Sequence, residues 1–498
     1  MALRKKVAKT KTAVMRVTGA VRQRLESLVF SRYPRKEWGT FFLFGTHETP
    51  DGVVMTIVDL IEPKPGDLDL KTAITRFNEP YSLRAALEKE KRGLCVGVIH
   101  SHPQNYEVSP SAIDDDMDSY FRDYFPAFGK ETAYFSLIFS RTTKGNVRYS
   151  GRGWNKGQEF RLAEMVTVNS NEIRREGASG KSSVPTRSKD EYRERFEEVY
   201  GSEAAARLRN ARVAIIGVSG TGSPAAHVLA RAGVENFVLV DPQRLEKSNL
   251  ERVHGSYEAH FTRGGRAAPF KVEAVRDLIK AINPKASVTC IAGNMLQPLA
   301  RDHIVGADLA ICCTDTNHSR TAISELAYRY LVPAIDVGVI FESQHGSITG
   351  EVGRITVYSP GAPCAYCLGL VDSWRATVEL MSEAEKQARR EEARLAGLRG
   401  DNANAYWKDI PEIPTVGHFT SLAGALAASY AIGWLTGKFA PPHRYFEFNI
   451  LAPGFGYVGF DAQCRSGCYC ETLIGHADQA AYASLISAPS HWAKAELI

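Results

Sequence analysis

Long apolar runs are absent from this chain of 498 residues. The nearest to the ~20 residues that a membrane-crossing helix needs is "LAGALAASYAIGWL", from Leu422 to Leu435, and it reads as a buried helix. The basic start, "MALRKKVAKTKTAVMR", has no apolar centre of the kind a secretory leader carries. It reads as a solvated, frayed end rather than a nucleic-acid arm. A large excess of charge of one sign is lacking too. The net charge is +5, so neither nucleic acid nor a membrane is an expected partner. Cysteine is sparse, nine residues in all, which is no disulfide framework at this length. Five of them cluster late in the sequence and point to metal instead. Internal repeats are missing. The expected location is cytoplasmic.

What is present is ordinary in bulk: 44% apolar and 23% charged residues. The length exceeds one ordinary core and predicts about two or three domains. Residues near 14 to 150 alternate short β runs with helices: "GTFFLFG", "VVMTIVDLIEP", "LCVGVIHSHP", "AYFSLIFS", then a hairpin around Lys144-Gly145-Asn146. Residues 1–155 are read as one α/β domain. Residues 156–190, which include "NSNEIRREGASGKSSVPTRSKDE", are rich in Gly, Ser and charge and read as a polar linker. Over 191–498 strand and helix alternate again, which predicts a mostly parallel sheet covered by helices. Within it, "MSEAEKQARREEARLAGLRGDN" reads as a charged helical insertion near 378–405.

The stretch "VGVIHSHPQNYEVSPSAIDDD" holds the first candidate site. His100 and His102 stand at i and i+2 of a strand end, so both imidazoles face one way. "SPSAIDDD" reads as a helix start with Pro110 early and acids in the first turn. Such a helix can bring Asp114 to the same point. Two imidazoles, a carboxylate and a water make an open zinc site, which lowers the pKa of its water and polarises a carbonyl. Glu37, before an early strand, is the candidate general base. The pattern Glu37…His100-Ser-His102-Pro…Ser111-x-x-Asp114 resembles the JAB/MPN (JAMM) metalloproteases, which cleave peptide or isopeptide bonds after ubiquitin-like proteins. The resemblance implies an α/β domain with a mixed sheet and catalytic zinc on His100, His102 and Asp114. It implies Glu37 as acid/base and Ser111 as oxyanion stabiliser. The spacing from His102 to Ser111 is one residue longer than the family's usual spacing. That leaves Asp115 and Asp116 as rival ligands, with Asp114 favoured because Pro-Ser-x-x-Asp is intact.

The second candidate site begins at "VAIIGVSGTGS". Gly217, Gly220 and Gly222, between a strand and a helix, allow a tight turn and close approach of phosphate to backbone N–H groups. Asp241 ends the next strand, where an acid can bind ribose hydroxyls. This much also fits a dinucleotide oxidoreductase. Then "VDPQRLEKSNLERV" resembles a block of the ubiquitin-activating (E1-like) enzymes that include ThiF and MoeB. Asp241, Ser248, Asn249, Leu250 and Arg252 match, and so do Lys271, Asp315 and Arg320 further on. Ser219 and Gln243 depart from the pattern. The resemblance implies a Rossmann-like domain that binds ATP and Mg²⁺ and adenylates the C-terminal carboxylate of a ubiquitin-like protein. Asn249, Arg252 and Lys271 would contact phosphate, with Arg252 and Lys271 stabilising developing charge, and Asp315 would hold Mg²⁺. A homodimer through this domain is implied, with Arg195 a candidate to reach across it, and an E2-like partner is a further expectation.

Cys364-x-x-Cys367 and the later Cys464, Cys468 and Cys470 form two thiol clusters, the pattern of a structural zinc site. Four of the five would ligate, with Cys468 and Cys470 preferred as the second pair. No cysteine lies between Cys367 and Cys464, so the expected reaction stops at the adenylate, unless the spare thiol or a partner's thiol serves. The expectation is an adenylating enzyme joined to a zinc protease, both acting on one C-terminal tail. The alternative is an activator of a ThiS- or MoaD-like sulfur carrier, and a further rival is a non-catalytic scaffold.

Overall fold

The computed structural model describes residues 11–69, 75–178, 191–262, 267–397, 407, 414–452, 456–460, 462–482 and 487–498. The chain gathers into two compact units. The first comprises residues 1–185 with 328–331 and 473–481; the second comprises 186–327, 332–472 and 482–498.

The first unit runs β1 (Lys11–Thr18), α1 (Gly19–Val29), β2 (Gly39–Thr49), β3 (Gly52–Ile61), β4 (Leu68–Asp69), β5 (Arg76–Phe77), α2 (Glu79–Arg92), β6 (Cys95–Ser101), α3 (Ala112–Tyr124), β7 (Tyr134–Arg141), β8 (Val147–Asn155), β9 (Gln158–Val168) and β10 (Ile173–Gly177). The strand order is β1-β3-β2-β6-β7-β8-β9-β10. β1 also pairs in parallel with β9, so the sheet, mixed in direction, closes into a barrel. Residues 156–190 therefore do not form a linker from their start: β9 and β10 occupy 158–177. In "EFRLAEMVTV" Phe160, Leu162, Met165, Val166 and Val168 are buried, with Arg161 exposed and Glu159 and Glu164 partly so. That is the alternation of a half-buried strand, hidden by the polar average of the region. Residues 179–190 lie outside the described residues.

The same alternation divides β2. Phe42 and Phe44 share a core with Met55, Ile57, Phe135 and Leu137, into which Leu25 and Val29 of α1 pack. Phe41 and Leu43 turn to the other face and pack with Tyr81 and Ala85 of α2 and Phe121 of α3. Each such side chain contributes about 1.5–3 kcal/mol by leaving water. A one-residue slip would exchange the faces. This register holds the ends of β6 and α3 in place.

The second unit continues with α4 (Glu194–Tyr200), α5 (Ser202–Asn210), β11 (Arg212–Ile216), α6 (Gly222–Ala232), β12 (Asn236–Val240), α7 (Lys271–Ile282), β13 (Ser287–Ala292), α8 (Pro298–Val305), β14 (Leu309–Cys312), α9 (Asn317–Arg329), β15 (Ala334–Gln344), β16 (Ser347–Tyr358), α10 (Ser373–Leu380), α11 (Glu383–Leu395), the helix Gly417–Thr436, β17 (Tyr445–Asn449), β18 (Gly456–Phe460), the short helix Tyr469–Thr472 and β19 (Glu496–Leu497). The sheet order is β18-β17-β16-β15-β14-β11-β12-β13-β19. β15, β14, β11, β12 and β13 run parallel. The four outer strands are antiparallel additions, so "mostly parallel" describes the centre of the sheet and not its flanks. The reason is local. β15 and β16 are joined by His345 (φ 52°) and Gly346 (φ 82°), a two-residue turn with both residues left-handed, which makes a hairpin rather than a crossover. Strand order reverses between β11 and β14, and ligands of such sheets bind at the carboxyl ends there.

The charged insertion is a helical pair. α10 and α11 bury Val378 and Ala393 against Trp407, with Met381 packed beside them. Residues 398–405 of the expected insertion lie outside the described residues. The helix Gly417–Thr436 is long and apolar enough to cross a membrane by length and composition, and 67% of its apolar window is buried within the unit.

Candidate functional site

In the first unit, β6 delivers His100 and the turn beyond it delivers His102; both are buried. α3 starts at Ala112 with Ser111 as N-cap, Pro110 just before it and Asp114 and Asp115 in its first turn. Asp114 is buried, and its carboxylate meets both imidazoles. His100 Nε2 lies 3.0 Å from Asp114 Oδ1, His102 Nε2 3.5 Å from Oδ2, and the two Nε2 atoms are 3.3 Å apart. A tetrahedral zinc with ligands at about 2.0–2.1 Å has edges of about 3.3–3.4 Å, so the donor set fits such an ion. His102 Nδ1 donates to the Glu107 carbonyl at 2.8 Å, which leaves Nε2 as the lone-pair nitrogen. His100 Nδ1 is buried without a partner among the described residues. Burial would raise the Asp114 carboxyl, but the His100 and His102 imidazoles hold it far below its usual range. Burial pushes the His102 imidazole down, while bonds to Asp114 and Glu107 O and the charges of Asp114 and Glu37 hold it above its ordinary value.

The rival acids lie elsewhere. Asp115 is exposed and pairs with Arg152 at 2.6 Å; Asp116 is exposed. The extra residue between His102 and Ser111 sits in a loop where Asn105 takes φ 63° and Tyr106 N donates to Pro103 O at 3.1 Å. Gly39 is in register with His100, and Ser101 N donates to Trp38 O, so Glu37 stands opposite His102. Glu37 is half-buried and accepts from Thr75 N at 3.4 Å. The Ser111 hydroxyl donates to Asp114 Oδ2 at 2.7 Å and accepts from Asp114 N at 3.3 Å. Ser111 thus anchors Asp114 as well as the helix.

In the second unit, Gly217 (φ 81°) turns the chain after β11. A Cβ at Gly222 would lie 2.0 Å from Gly217 O, so the loop tolerates no side chain there. Asp241 is buried and clamps this loop: Val218 N donates to its Oδ2 at 3.0 Å and Gln243 N to its Oδ1 at 2.9 Å. Burial raises the Asp241 carboxyl, Lys271 opposes that, and Asp315 adds to it. These three charges therefore share one end of the sheet. Lys271 opens α7, is buried, and donates to Gln243 Oε1 at 2.6 Å. Arg252 stretches over Gly220, its Cδ 3.4 Å from where a Cβ would be, and donates to Thr415 O at 3.2 Å. Asn249 is buried and accepts from Glu246 N at 3.1 Å. Asp315 is exposed in the loop between β14 and α9, and makes no ion pair among the described residues. A bare glycine turn, a buried lysine and an unpaired carboxylate fit a nucleotide with its divalent cation.

Two further expected arginines differ in their surroundings. Arg320 is held by Asp336 at 2.9 Å, and Asp336 also accepts from Arg354 at 2.9 Å. Arg195 is exposed on α4, while its neighbour Arg193 is buried and paired with Glu235 at 2.5 Å.

Cys364, Cys367, Cys468 and Cys470 bring four sulfurs within 4.8 Å of one another. Cys364 and Cys468 are 3.4 Å apart, Cys367 and Cys470 3.7 Å. Zinc–thiolate bonds of about 2.3 Å give edges of about 3.8 Å, so this cluster can hold zinc. The Cys364 thiol is drawn down to about 5, chiefly by its bond with Cys470, and burial pushes Cys468 up to about 11. Cys464 stands outside the set, with its thiol on Ala362 O at 3.2 Å. Cys95, Cys290 and Cys312 are buried on strands.

Several participants have no sequence signal. Gly417 N donates to Glu251 Oε1 at 2.5 Å, and Gly424 packs on Thr221 O, so the helix Gly417–Thr436 rests directly on the glycine loop. Its small-residue stripe hints at close packing but not at the partner. Glu379 of α10 binds the start of α9, a pairing that only the folded chain reveals.

The sequence model of the ThiF family matches residues 192–468. The SAMP-activating enzyme E1 of Haloferax volcanii is 28% identical over 170 residues, covering 34% of this chain and 57% of that enzyme. The adenylyltransferase and sulfurtransferase MOCS3 of Drosophila sechellia is 31% identical over 173 residues, covering 34% of each chain. The match thus spans less than two thirds of either relative's own length. The crystal structure of E. coli MccB with ATP shares 20% identity over 56% of this chain and 74% of that one, with a TM-score of 0.40.

Proposed function

We propose that this chain, which belongs to the ThiF family, activates the C-terminal carboxylate of a small carrier protein by adenylation with Mg²⁺-ATP. The observation that carries the reading is the set at the carboxyl ends of the parallel strands: the bare glycine turn, Asp241, Arg252, Lys271 and Asp315. A carboxylate oxygen attacks the α-phosphorus, the bond to the β-phosphate bridge breaks, and acyl-adenylate and pyrophosphate form. Negative charge grows on the phosphate oxygens, where Arg252 and Lys271 would act as fixed cations. Lys271 would exchange Gln243 for phosphate. Asn249 holds the loop that carries Arg252, and Asp315 would hold the Mg²⁺.

A sulfur carrier is favoured over a conjugated ubiquitin-like modifier. One similar protein is named a sulfurtransferase as well as an adenylyltransferase. No cysteine lies between Cys367 and Cys464 to take the acyl group. Incubation with Mg²⁺-ATP and a candidate carrier, read by intact mass, tests this. The carrier should gain AMP, with no reductant-sensitive adduct on this protein. A reductant-sensitive adduct would instead make one of Cys464, Cys468 or Cys470 an acyl acceptor.

For the first unit we propose metal-dependent hydrolysis of a peptide or isopeptide bond next to the same carrier tail. The convergence of His100, His102 and Asp114 on one point supports it. Glu37 would take the proton of the attacking water and pass it to the leaving amine. Carrier extended beyond its tail, incubated with zinc-loaded protein, should be trimmed; Glu37→Gln should abolish trimming while zinc content stays constant.

A further inference from the structure

We propose that Glu379 is a positioning residue for the adenylation site: through the first turn of α9 it fixes the loop that carries Asp315. The inference rests on the adenylation reading above. Asp315 sits in a short loop. One end of that loop is held by the sheet, where Cys313 N donates to Ile216 O at 2.7 Å. The other end is α9, whose opening N–H groups have no partners within the helix itself. Glu379, from the last turn of α10, supplies a partner for one of them and for two side chains of that turn. Its Oε1 accepts from Asn317 Nδ2 at 3.1 Å, and its Oε2 accepts from His318 N at 3.0 Å and from His318 Nδ1 at 3.2 Å. Asn317 returns the contact, its Oδ1 accepting from Asp372 N at 3.2 Å.

The contact is built rather than incidental. His318 and Asn317 are buried. Burial would raise the Glu379 carboxyl, but His318 and the Asn317 and His318 donors hold it below its ordinary range, so it is ionised at neutral pH. An anion at a helix N-terminus is favourable twice over, by hydrogen bond and by dipole. His318 is also gripped from other sides, by Asn294 Nδ2 at 3.4 Å and by the Trp492 ring at 5.6 Å. The helical insertion is thereby wired to the loop that carries Asp315, and Glu379 acts through Asn317 and His318.

The test is a titration of the full chain with a non-hydrolysable ATP analogue, with and without Mg²⁺, beside a thermal melt. Glu379→Ala should raise the Mg²⁺ concentration for half-saturation about tenfold and leave metal-free nucleotide affinity within about twofold. Glu379→Gln, which keeps one carbonyl acceptor for α9, should shift it about threefold, and serves alone if the alanine variant does not fold. An unchanged Mg²⁺ requirement, or an equal loss of affinity with and without Mg²⁺, would overturn the inference. Wild-type protein that binds no Mg²⁺-nucleotide would remove the adenylation reading itself. Wild-type binding with unaffected variants removes the Glu379 role alone.

Discussion

At the scale of single residues, chemistry that looks equivalent in sequence is sorted by direction. Cys464, Cys468 and Cys470 are three thiols in seven residues. Cys468 and Cys470 face Cys364 and Cys367, whereas Cys464 turns to a backbone carbonyl. Cys464→Ser should therefore keep the zinc of this cluster, and Cys468→Ser should lose it, read by metal analysis of the purified chain. Equal loss in both would mean that Cys464 is a ligand. Asp336 poses the opposite case, a residue with no motif and a large expected effect. It is fully buried and carries both Arg320 and Arg354. Removing one partner of a buried pair strands the other charge and costs about 3–5 kcal/mol. Asp336→Ala should show that loss in urea unfolding. A change below about 1 kcal/mol would mean that the guanidinium groups reach water. Gly338 belongs to the same device: a Cβ there would lie 2.9 Å from Arg354 Nη2, on the path the arginine takes to Asp336.

At the scale of elements, periodicity was readable wherever one face of a strand meets a core. "GTFFLFG" and "LCVGVIHS" declare β2 and β6, and with them the place of His100. β9 was hidden because it lies at the head of a region, 156–190, that is polar on average, while Arg161 and Glu164 interrupt its own apolar residues. Closure of the barrel was beyond reach, because the β1–β9 pairing joins segments about 150 residues apart and leaves no local mark. The glycine turn was legible since no other residue fits at Gly222. The Glu379–α9 contact was not, since a glutamate on a charged helix looks like any solvated acid. α3 shows how an element makes a site. Ser111 caps it and anchors Asp114 in the same bonds. Ser111→Ala should cost about 1 kcal/mol as a lost cap and weaken zinc binding at His100, His102 and Asp114, measured by competition with a chromogenic chelator. If zinc affinity holds and only hydrolysis falls, Ser111 acts on the substrate and not on the ligand.

At the scale of the whole molecule, the two donor sets belong to different units, each with its own sheet. Metal binding to a folded site adds to the stability of the unit that holds it, and a nucleotide does the same by mass action, about 2.7 kcal/mol at a hundredfold excess over its Kd. Three perturbations can therefore be assigned by unit in one calorimetric experiment. The wild-type chain should carry two zinc equivalents, His100→Ala one, and Cys364→Ser one. Cys364→Ser should lower the unfolding transition of the second unit, and Mg²⁺-ATP should raise that same transition. His100→Ala should lower the other transition and leave the nucleotide shift intact. The two donor sets have no residue in common, and independent sites add in their effects, so the double variant should show the sum. If Mg²⁺-ATP instead raises the transition that His100→Ala lowers, the nucleotide does not bind where the glycine turn, Lys271 and Asp315 converge. The adenylation site would then have to be sought in the first unit.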